Sequence, residues 1–251
     1  MSFIDANVCL GTWPLKMARR AGVADLEALF DAEDIAEALV SPIEAILLYD
    51  PSGPNAELFR ETRGHPRLVP LPVLNLKLRN WGALLESYTA EQRVRAVLLY
   101  PSWHGYSVDS PEVDRLAQLL VAAGKPLVIA LRVEDERYQH AQLPVAGVQF
   151  ASVLAFADRH PALQLLCLNA YRAEAVQASG HDNVHVDISF VEIYPTLPNL
   201  LGYLRPSQIL FGSHVPFFVA RAAAMKVAWA DIPQEARRAI SFGNARRLFG
   251  L

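Results

Sequence analysis

The sequence has few cysteines, no long hydrophobic run and no excess of charge of either sign. Cys9 and Cys167 are the only 2 cysteines among 251 residues, and no CxxC pair occurs, which excludes a disulfide scaffold and a structural zinc knuckle. We therefore expect reduced thiols and a cytoplasmic protein. No apolar run reaches the roughly 18 residues that a membrane span needs. The first residues also lack the charge order of a signal peptide, so neither membrane insertion nor secretion is expected.

The charge balance bears on the class of partner. Lys and Arg together number 23 and Asp and Glu 26, so the formal net charge is −3. A nucleic-acid-binding surface would need a basic excess, which is missing. A small molecule is the expected partner, and nucleic acid and membrane are not. The sequence does not specify an oligomeric state, although a homo-oligomer is compatible with it.

Short apolar runs alternate with stretches of helical periodicity along the whole chain. Runs such as AILLY, AVLLY and LVIAL are continuously apolar, which is typical of parallel strands covered on both sides. Helical stripes are predicted for Asp25–Leu39 and Glu112–Ala123. The predicted strands are Phe3–Cys9, Ala45–Tyr49, Leu68–Leu74, Ala96–Tyr100, Leu127–Leu131, Leu163–Leu168, Val184–Ile188 and Ile209–Gly212.

Eight such units in about 250 residues predict an α/β fold, a single (β/α)8 TIM barrel that occupies residues 1–251 as one domain. An open doubly wound sheet is the alternative. Pro70 and Pro72 fall within the third strand, where proline cannot donate to the ladder, so we expect the barrel wall to be distorted there. No GxGxxG or P-loop pattern occurs, so a nucleotide-binding loop is not indicated.

Polar residues follow every predicted strand, and in a closed barrel they would converge at the C-terminal mouth. They are Asn7 and Cys9, Asp50, Asn75, Ser102 to His104, Arg132 and Glu134, Asn169, Asp187 and Ser189, and Ser213 and His214. Because loops are polar in any protein, each position taken singly is weak evidence, and Asp50 is best interpreted as a turn residue.

The histidines are candidate functional residues, since a histidine can act as a base, an acid or a metal ligand near neutral pH. His104 and His214 directly follow the fourth and eighth strands, and a pocket role is predicted for both. His140 lies in the charged segment RVEDERYQH, which predicts either a solvated loop or a lid over the mouth. His185 shares strand parity with Asp187, but a buried strand histidine is more often a core residue.

Several segments, taken in order, resemble the amidohydrolase-related family of metal-dependent hydrolases and decarboxylases. FIDANVCLGTWP is similar to the family's opening IDxHxHxG, VHVDISF to its seventh-strand segment, ILFGSHVPF to its ILFGSDxP, and SFGNARRLFGL to its GNAxRLFGL. The resemblance covers nearly the whole chain and implies the same barrel fold.

The same resemblance implies a metal site whose usual ligands are replaced in this chain. The family binds one divalent metal, usually zinc, through a first-strand His-x-His pair, histidines after strands five and six, and an aspartate after strand eight. At the matching positions this chain has Asn7 and Cys9, Ala130 or Arg132, Asn169, and His214. Amides are weak ligands and a guanidinium repels a cation. No cofactor is therefore the first expectation.

The residues at the strand ends are compatible with an enzyme and with a binding protein. In the first, a hydrolase- or decarboxylase-like enzyme acts without metal on a small carboxylate- or carbonyl-containing substrate, with His214, His104 and Asp187 in catalytic roles. Its substrate-binding residues would be Asn7, Arg132, Asn169, Cys9 and His140, with Arg132 holding an anionic group. The alternative is a catalytically inactive small-molecule binding or sensor protein derived from such an enzyme.

Two further interpretations concern Cys9. As a thiolate beside His214 it could act as a nucleophile, although a small buried strand-end residue is the plainer interpretation. Cys9 and His214 could also hold zinc, with the third ligand coming from Asp187, His104 or His140.

Overall fold

The computed structural model describes residues 2–15 and 20–251. Eight strands occur among these residues, all paired in parallel. They are β1 Phe3–Leu10, β2 Ile35–Pro42, β3 Leu68–Pro70, β4 Val97–Leu99, β5 Leu127–Ala130, β6 Leu165–Leu168, β7 Val184–Asp187 and β8 Ile209–Leu210.

Helices separate the strands and form the outer layer. They are α1 Val23–Ala32, α2 Glu44–Leu47, α3 Ser52–Glu61, α4 Trp81–Ala90, α5 Pro101–His104, α6 Pro111–Ala122, α7 Phe150–Arg159, α8 Arg172–Ala175, α9 Thr196–Leu201, α10 Ala220–Ala228, α11 Gln234–Arg238 and α12 Asn244–Phe249. Short 3₁₀ turns lie at Glu136–Tyr138, Val176–Ala178 and Pro206–Gln208, and a π-helical turn at Ala239–Gly243 joins α11 to α12. None of the described helices is long and apolar enough to cross a membrane.

The two groups of strands, β1 to β3 and β4 to β8, are joined by single bridges into a closed ring. On one side, the Ala6 amide donates to the Phe211 carbonyl at 3.0 Å and the Cys9 amide to Val215 at 2.7 Å. On the other side, the Leu98 amide donates to the Pro72 carbonyl at 2.9 Å. The fold is thus the predicted (β/α)8 barrel.

The wall is irregular at the third strand, as the prolines predict. β3 has only three residues and ends at Pro70, and its link to β4 is the isolated bridge between Val73 and Leu98. Pro72 has no amide hydrogen to donate, so it contributes only its carbonyl to this seam.

The predicted second strand is wrong. Ala45–Tyr49 lies mostly in the short helix α2, and Leu47, Leu48 and Tyr49 are exposed. The second strand is Ile35–Pro42, so the predicted helix Asp25–Leu39 ends early, at Ala32. The apolar residues of β2 extend the helical stripe of α1 in the sequence, and periodicity alone therefore merged two elements. Asp50 accordingly does not follow a strand.

Strand parity sorts the core into two layers. Alternate strand residues such as Ile4, Leu98 and Leu166 pack together inside the barrel. Their neighbours along the chain, such as Val97 and Leu165, pack against the helices. Because the inside is filled with aliphatic side chains over most of its height, polar chemistry is confined to the two ends of the barrel.

Candidate active site at the barrel mouth

Asn7, at the C-terminal half of β1, lies at the centre of a buried polar network. Its Nδ2 donates to Asn169 Oδ1 at 2.7 Å and to Asp187 Oδ2 at 2.9 Å. Its Oδ1 lies 3.3 Å from His214 Nδ1. One amide therefore connects residues at the ends of β1, β6, β7 and β8, and four of the predicted site residues meet here.

The amide of Asn169 is held in one orientation. Its Nδ2 donates to the Arg132 carbonyl at 2.6 Å, which leaves Oδ1 to accept from Asn7 and from the Ser189 hydroxyl at 3.1 Å. Its backbone has a φ of 63°, in the left-handed region that asparagine tolerates better than most residues. This conformation turns the chain directly after β6 and aims the amide at the network.

Asp187 lies at the end of β7 and is completely buried. Its Oδ1 accepts from the Asn169 amide at 2.8 Å, and its Oδ2 accepts from Asn7. Burial raises the pKa of this carboxyl, and hydrogen bonds from Ser189 and Asn7 oppose that shift. A side chain at Gly212 would bring a Cβ within 2.5 Å of Asp187 Oδ2, so the glycine after β8 leaves the space that Asp187 needs.

His214 is buried beneath aromatic rings. Its ring stacks on Phe217 at 4.7 Å between centroids, and Phe190 and Phe218 each lie 5.3 Å away. Burial lowers the pKa of His214 to about 4, so the imidazole is neutral at pH 7. Its single proton is on Nε2, because the Val133 carbonyl at 2.7 Å can only accept.

Asp5 also belongs to this site, although the sequence analysis did not select it. The carboxyl is completely buried, and its Oδ1 accepts from the amides of Asn7 and Ser213, both at 3.0 Å. Burial raises its pKa to about 7, and the nearby charge of Asp187 adds to the shift. β1 is irregular between Asp5 and Val8, so the alternation of side chains along the strand could not identify Asp5 from the sequence.

Two adjacent cavities lie over the network. The first, of about 370 Å³, is lined by Trp13, Val133, Glu134, Asp135, Tyr138, Pro216, Phe217 and Phe218. The second, of about 450 Å³, is lined by Asp135, Arg137, Tyr138, Ser189, Glu192, Ser213, Phe217, Phe218, Val219, Ala222, Ala223 and Lys226. Aromatic walls with a few polar groups are typical of small-molecule sites.

Ser189 and Ser213 are the residues through which the second cavity meets the network. Both line that cavity, and both are nearly inaccessible to bulk solvent. The Ser189 hydroxyl contacts Asn7 and Asn169, whereas Ser213 donates to Asp5 through its backbone amide. A ligand in the second cavity would therefore meet the network at the Ser189 hydroxyl.

Arg132 does not face open space, contrary to its predicted role as an anchor for a substrate anion. Its guanidinium forms two hydrogen bonds to Glu174, at 2.6 and 2.5 Å, and a third to the Asn169 carbonyl at 2.6 Å. It also lies 3.8 Å from the centre of the Tyr171 ring. The charge is thus neutralised within the protein, and Glu174, which the sequence analysis missed, is the partner.

His104 and His140 lie apart from the network. His104 is buried in α5, its Nε2 lies 3.0 Å from the Ala45 carbonyl, and burial lowers its pKa. His140 is exposed in the loop after β5, where its Nδ1 accepts from the Gln142 amide. Neither residue lines the two cavities. From that loop it is Glu134, Asp135, Arg137 and Tyr138 that reach the mouth.

Cys9 is buried and its thiol lies 3.5 Å from the Ser41 hydroxyl. Burial raises the pKa of this thiol to about 11. Because the thiolate is the nucleophile, this environment does not favour covalent catalysis by Cys9.

The side chains at the predicted metal positions do not suit a divalent cation. Amide hydrogens of Asn7 point at the oxygens of Asp187 and Asn169, which are the groups that would otherwise face a metal. The proton-bearing Nε2 of His214 is engaged by a backbone carbonyl. Within residues 2–15 and 20–251, no three His, Cys, Asp or Glu side chains are grouped so that they could hold a metal ion.

The sequence matches the Amidohydrolase family over residues 76–251, which is more than two thirds of the chain. The chain belongs to this amidohydrolase family. The matched region contains Arg132, Asn169, Asp187 and His214, whereas β1, with Asp5 and Asn7, lies before it. No curated protein sequence matches the chain significantly.

Solved structures similar to this amidohydrolase-family chain confirm its fold. A 2,6-dihydroxybenzoate decarboxylase complexed with 2,6-dihydroxybenzoate superposes with a TM-score of 0.79 at 16% identity, covering 100% of this chain and 99% of that one. The same enzyme from Rhizobium gives 0.76 at 15%, covering 99% and 98%. 5-Carboxyvanillate decarboxylase from Sphingomonas paucimobilis gives 0.77 at 15%, covering 100% and 99%.

Proposed function

We propose that this amidohydrolase-family chain works as one barrel domain that binds a small carboxylate- or carbonyl-containing compound in the mouth cavities. It acts on that compound as a metal-independent hydrolase- or decarboxylase-like enzyme. The observation that carries the proposal is the Asn7–Asn169–Asp187 network, which fills the mouth with amide and carboxyl groups and borders an aromatic cavity.

The aromatic walls support the choice of a flat ligand. Phe217 and Phe218 line both cavities, and Trp13 and Tyr138 add ring surface to the first. Flat rings bury apolar area against such walls and stack on them. The similar solved structures include decarboxylases of hydroxylated or methoxylated benzoates, which are flat compounds of this size.

In this proposal the protonatable groups nearest the ligand are two buried carboxyls. Asp187 can exchange a proton with a ligand by way of Ser189, whose side chain borders the second cavity, and Asp5 accepts from the backbone amide of Ser213 beside the same cavity. Both hydrolysis and decarboxylation require proton transfer to or from the reacting group. Asn7 and Asn169 hold the carboxyl of Asp187 in place.

The test is turnover by protein treated with a chelator. We expect 2,6-dihydroxybenzoate, 5-carboxyvanillate or an aromatic lactone to be consumed at an unchanged rate after the treatment, with product measured by chromatography and metal by elemental analysis. Phe218→Ala should weaken binding, whereas Leu119→Ala, on the exposed side of α6, should not. A stoichiometric metal, or activity lost with the chelator and restored by zinc or manganese, would overturn the metal-independent proposal.

The internal pairing of the network favours a second candidate, a binding protein without catalysis. Asn7, Asn169 and Asp187 satisfy one another, and Phe217 covers His214, so few reactive groups face the cavity directly. Saturable binding of an aromatic compound with no product from any of the three substrate types would support this candidate instead.

A further inference from the structure

The loop after β5 brings a second arginine, Arg137, to the second cavity. Arg137 lines that cavity, and its side chain is 77% exposed. It lies in the 3₁₀ turn Glu136–Tyr138, shortly after the arginine that the sequence analysis selected as an anchor for an anion. That earlier residue, Arg132, is unsuited to the role because its guanidinium is buried against Glu174.

Asp135 holds the guanidinium of Arg137 along one edge only. Its Oδ1 accepts from Nε at 2.9 Å and its Oδ2 accepts from Nη2 at 2.7 Å. Oδ1 also accepts from the Arg137 backbone amide at 2.9 Å, so the pair is fixed within one turn of the chain. A guanidinium has five N–H groups, and Asp135 takes two of them. Nη1 has no hydrogen-bond acceptor among the described residues, and the Nη1–Nη2 edge can therefore bind a second carboxylate.

The other basic residue in the described wall of this cavity, Lys226, has its donors in use. Its three N–H groups donate to the carbonyls of Ile188 and Ser189, each at 3.1 Å, and to Glu192 at 2.6 Å. The two acidic residues of the described wall, Asp135 and Glu192, each pair with one of the two cations. This part of the wall is therefore neutral overall, and it retains donors for an anion only on the arginine.

We infer that Arg137 binds the carboxylate of a flat ligand through its Nη1–Nη2 edge at the outer rim of the second cavity, while the ring of that ligand packs against Phe217 and Phe218. The inference rests on the proposed function, because it assumes that an aromatic compound occupies this cavity. Two parallel N–H···O bonds match the two oxygens of a carboxylate. Because Asp135 already fixes the guanidinium, ligand binding would cost little further side-chain freedom.

The test compares an anionic and a neutral ligand of similar shape. Affinities of 3-hydroxybenzoate and 3-hydroxybenzamide are measured at pH 7.5 by isothermal titration calorimetry with the wild-type chain, Arg137→Gln and Arg137→Lys. We expect the wild type to prefer the carboxylate by about fivefold, near the upper end for a solvent-exposed ion pair. Arg137→Gln should reduce this preference to less than about twofold, and Arg137→Lys, which lacks the planar edge, should retain only part of it.

The matched control is Arg221→Gln. Arg221 is also an exposed arginine paired with an acid, Glu33, but it is not among the described residues that line the two cavities. Removal of its charge should leave the preference for the carboxylate unchanged. Added salt should reduce the preference in the wild type and in Arg221→Gln but not in Arg137→Gln, because salt screens an exposed ion pair.

The outcomes separate this inference from the proposed function. Equal affinity of the wild type for the two compounds, or a preference for the carboxylate that Arg137→Gln leaves as intact as Arg221→Gln does, would overturn the inference and leave the cavity as the ligand site. If the wild type binds neither compound, nor 2,6-dihydroxybenzoate or 5-carboxyvanillate, the proposed function is wrong and the inference with it.

Discussion

The two ends of the barrel bury polar side chains in different ways. At the N-terminal end, Asn183 donates through one nitrogen to the carbonyls of residues 157, 160 and 163, and Gln208 does the same for residues 178, 181 and 184. At the mouth, Asn7, Asn169 and Asp187 bond to one another. One end uses side chains to close backbone turns, and the other builds a network of side chains.

This difference shows which end is suited to function. A side chain that satisfies only backbone carbonyls stabilises a loop and leaves nothing for a ligand. A network of side chains borders the cavities, contains two buried carboxyls, and couples its members, so that a change at one alters the others. The mouth therefore combines two buried carboxyl groups with an adjacent cavity.

The largest expected effect is at Asp5. Its pKa is about 7 in the folded protein and near 3.8 as an ordinary carboxyl, so the folded state holds the proton more tightly. Stability is therefore lost as pH rises from about 4 to about 7, by up to about 4 kcal/mol. Asp5→Asn should remove this loss. Urea unfolding at pH 4 and pH 8 should show the variant gaining on the wild type at the higher pH.

The control for that experiment is Asp231→Asn, at an exposed position of the same residue type. It should differ from the wild type by the same small amount at both pH values. If Asp5→Asn behaves like this control, the mouth does not carry the electrostatic cost that sets it apart from the other end.

The second-largest effect is a loss of stability in acid, which should be equal for one buried histidine at each end of the barrel. Burial lowers the pKa of both His185 and His214 to about 4, from 6.5. Because the unfolded chain takes up these protons first, stability falls as pH drops from about 6.5 to about 4, by up to about 3 kcal/mol for each histidine. His185→Gln and His214→Gln should each remove one such loss, measured by denaturation at pH 7 and pH 4.5.

Equal effects of His185→Gln and His214→Gln would show that burial of a histidine costs the same stability at both ends of the barrel. The pH dependence that distinguishes the mouth would then come from its buried carboxyl groups. An acid sensitivity confined to His214→Gln would contradict it.

The third-largest effect is the loss of unfolding free energy when one buried asparagine is replaced at each end of the barrel. Asn7→Ala leaves a buried oxygen of Asp187 without its donor and should lower the free energy of unfolding by about 3 kcal/mol. Asn183→Ala frees three backbone carbonyls, to which a water in the vacated space can donate, and should cost about 1 to 2 kcal/mol. Thermal or urea unfolding at pH 7 measures both. A greater loss in Asn183→Ala would reverse the ranking of the two ends.

The smallest effect concerns Cys9, beside the mouth. With its thiol pKa near 11, it should react with iodoacetamide at pH 7.5 no faster than Cys167, which is also buried and has a raised pKa. Mass spectrometry of the intact chain over several hours should show alkylation only after denaturant is added. Fast, selective labelling of Cys9 in the folded chain would revive its role as a nucleophile.

The pattern of apolar runs and helical stripes predicts the barrel, which the structure confirms, whereas the functional role of the residues at its mouth stays a prediction. Asn7, Asn169, Asp187 and His214 were selected because they follow strands, and the barrel brings them together. Arg132 was selected by the same rule, yet its partner Glu174 lies 42 residues away and could not be read from local pattern. The second strand was misplaced because an apolar helix end and an apolar strand start look alike in sequence.

The sequence by itself determined the parallel barrel, since continuous apolar strands alternating with helical stripes can bury their surfaces in few other ways. It also determined which residue types stand at the strand ends, among them the amides of Asn7 and Asn169. Only the tertiary structure decided how those side chains pair, because hydrogen bonds such as that from Asn7 to Asp187 join residues 180 apart. The orientation of the Asn7 and Asn169 amides at the mouth depends on those long-range partners.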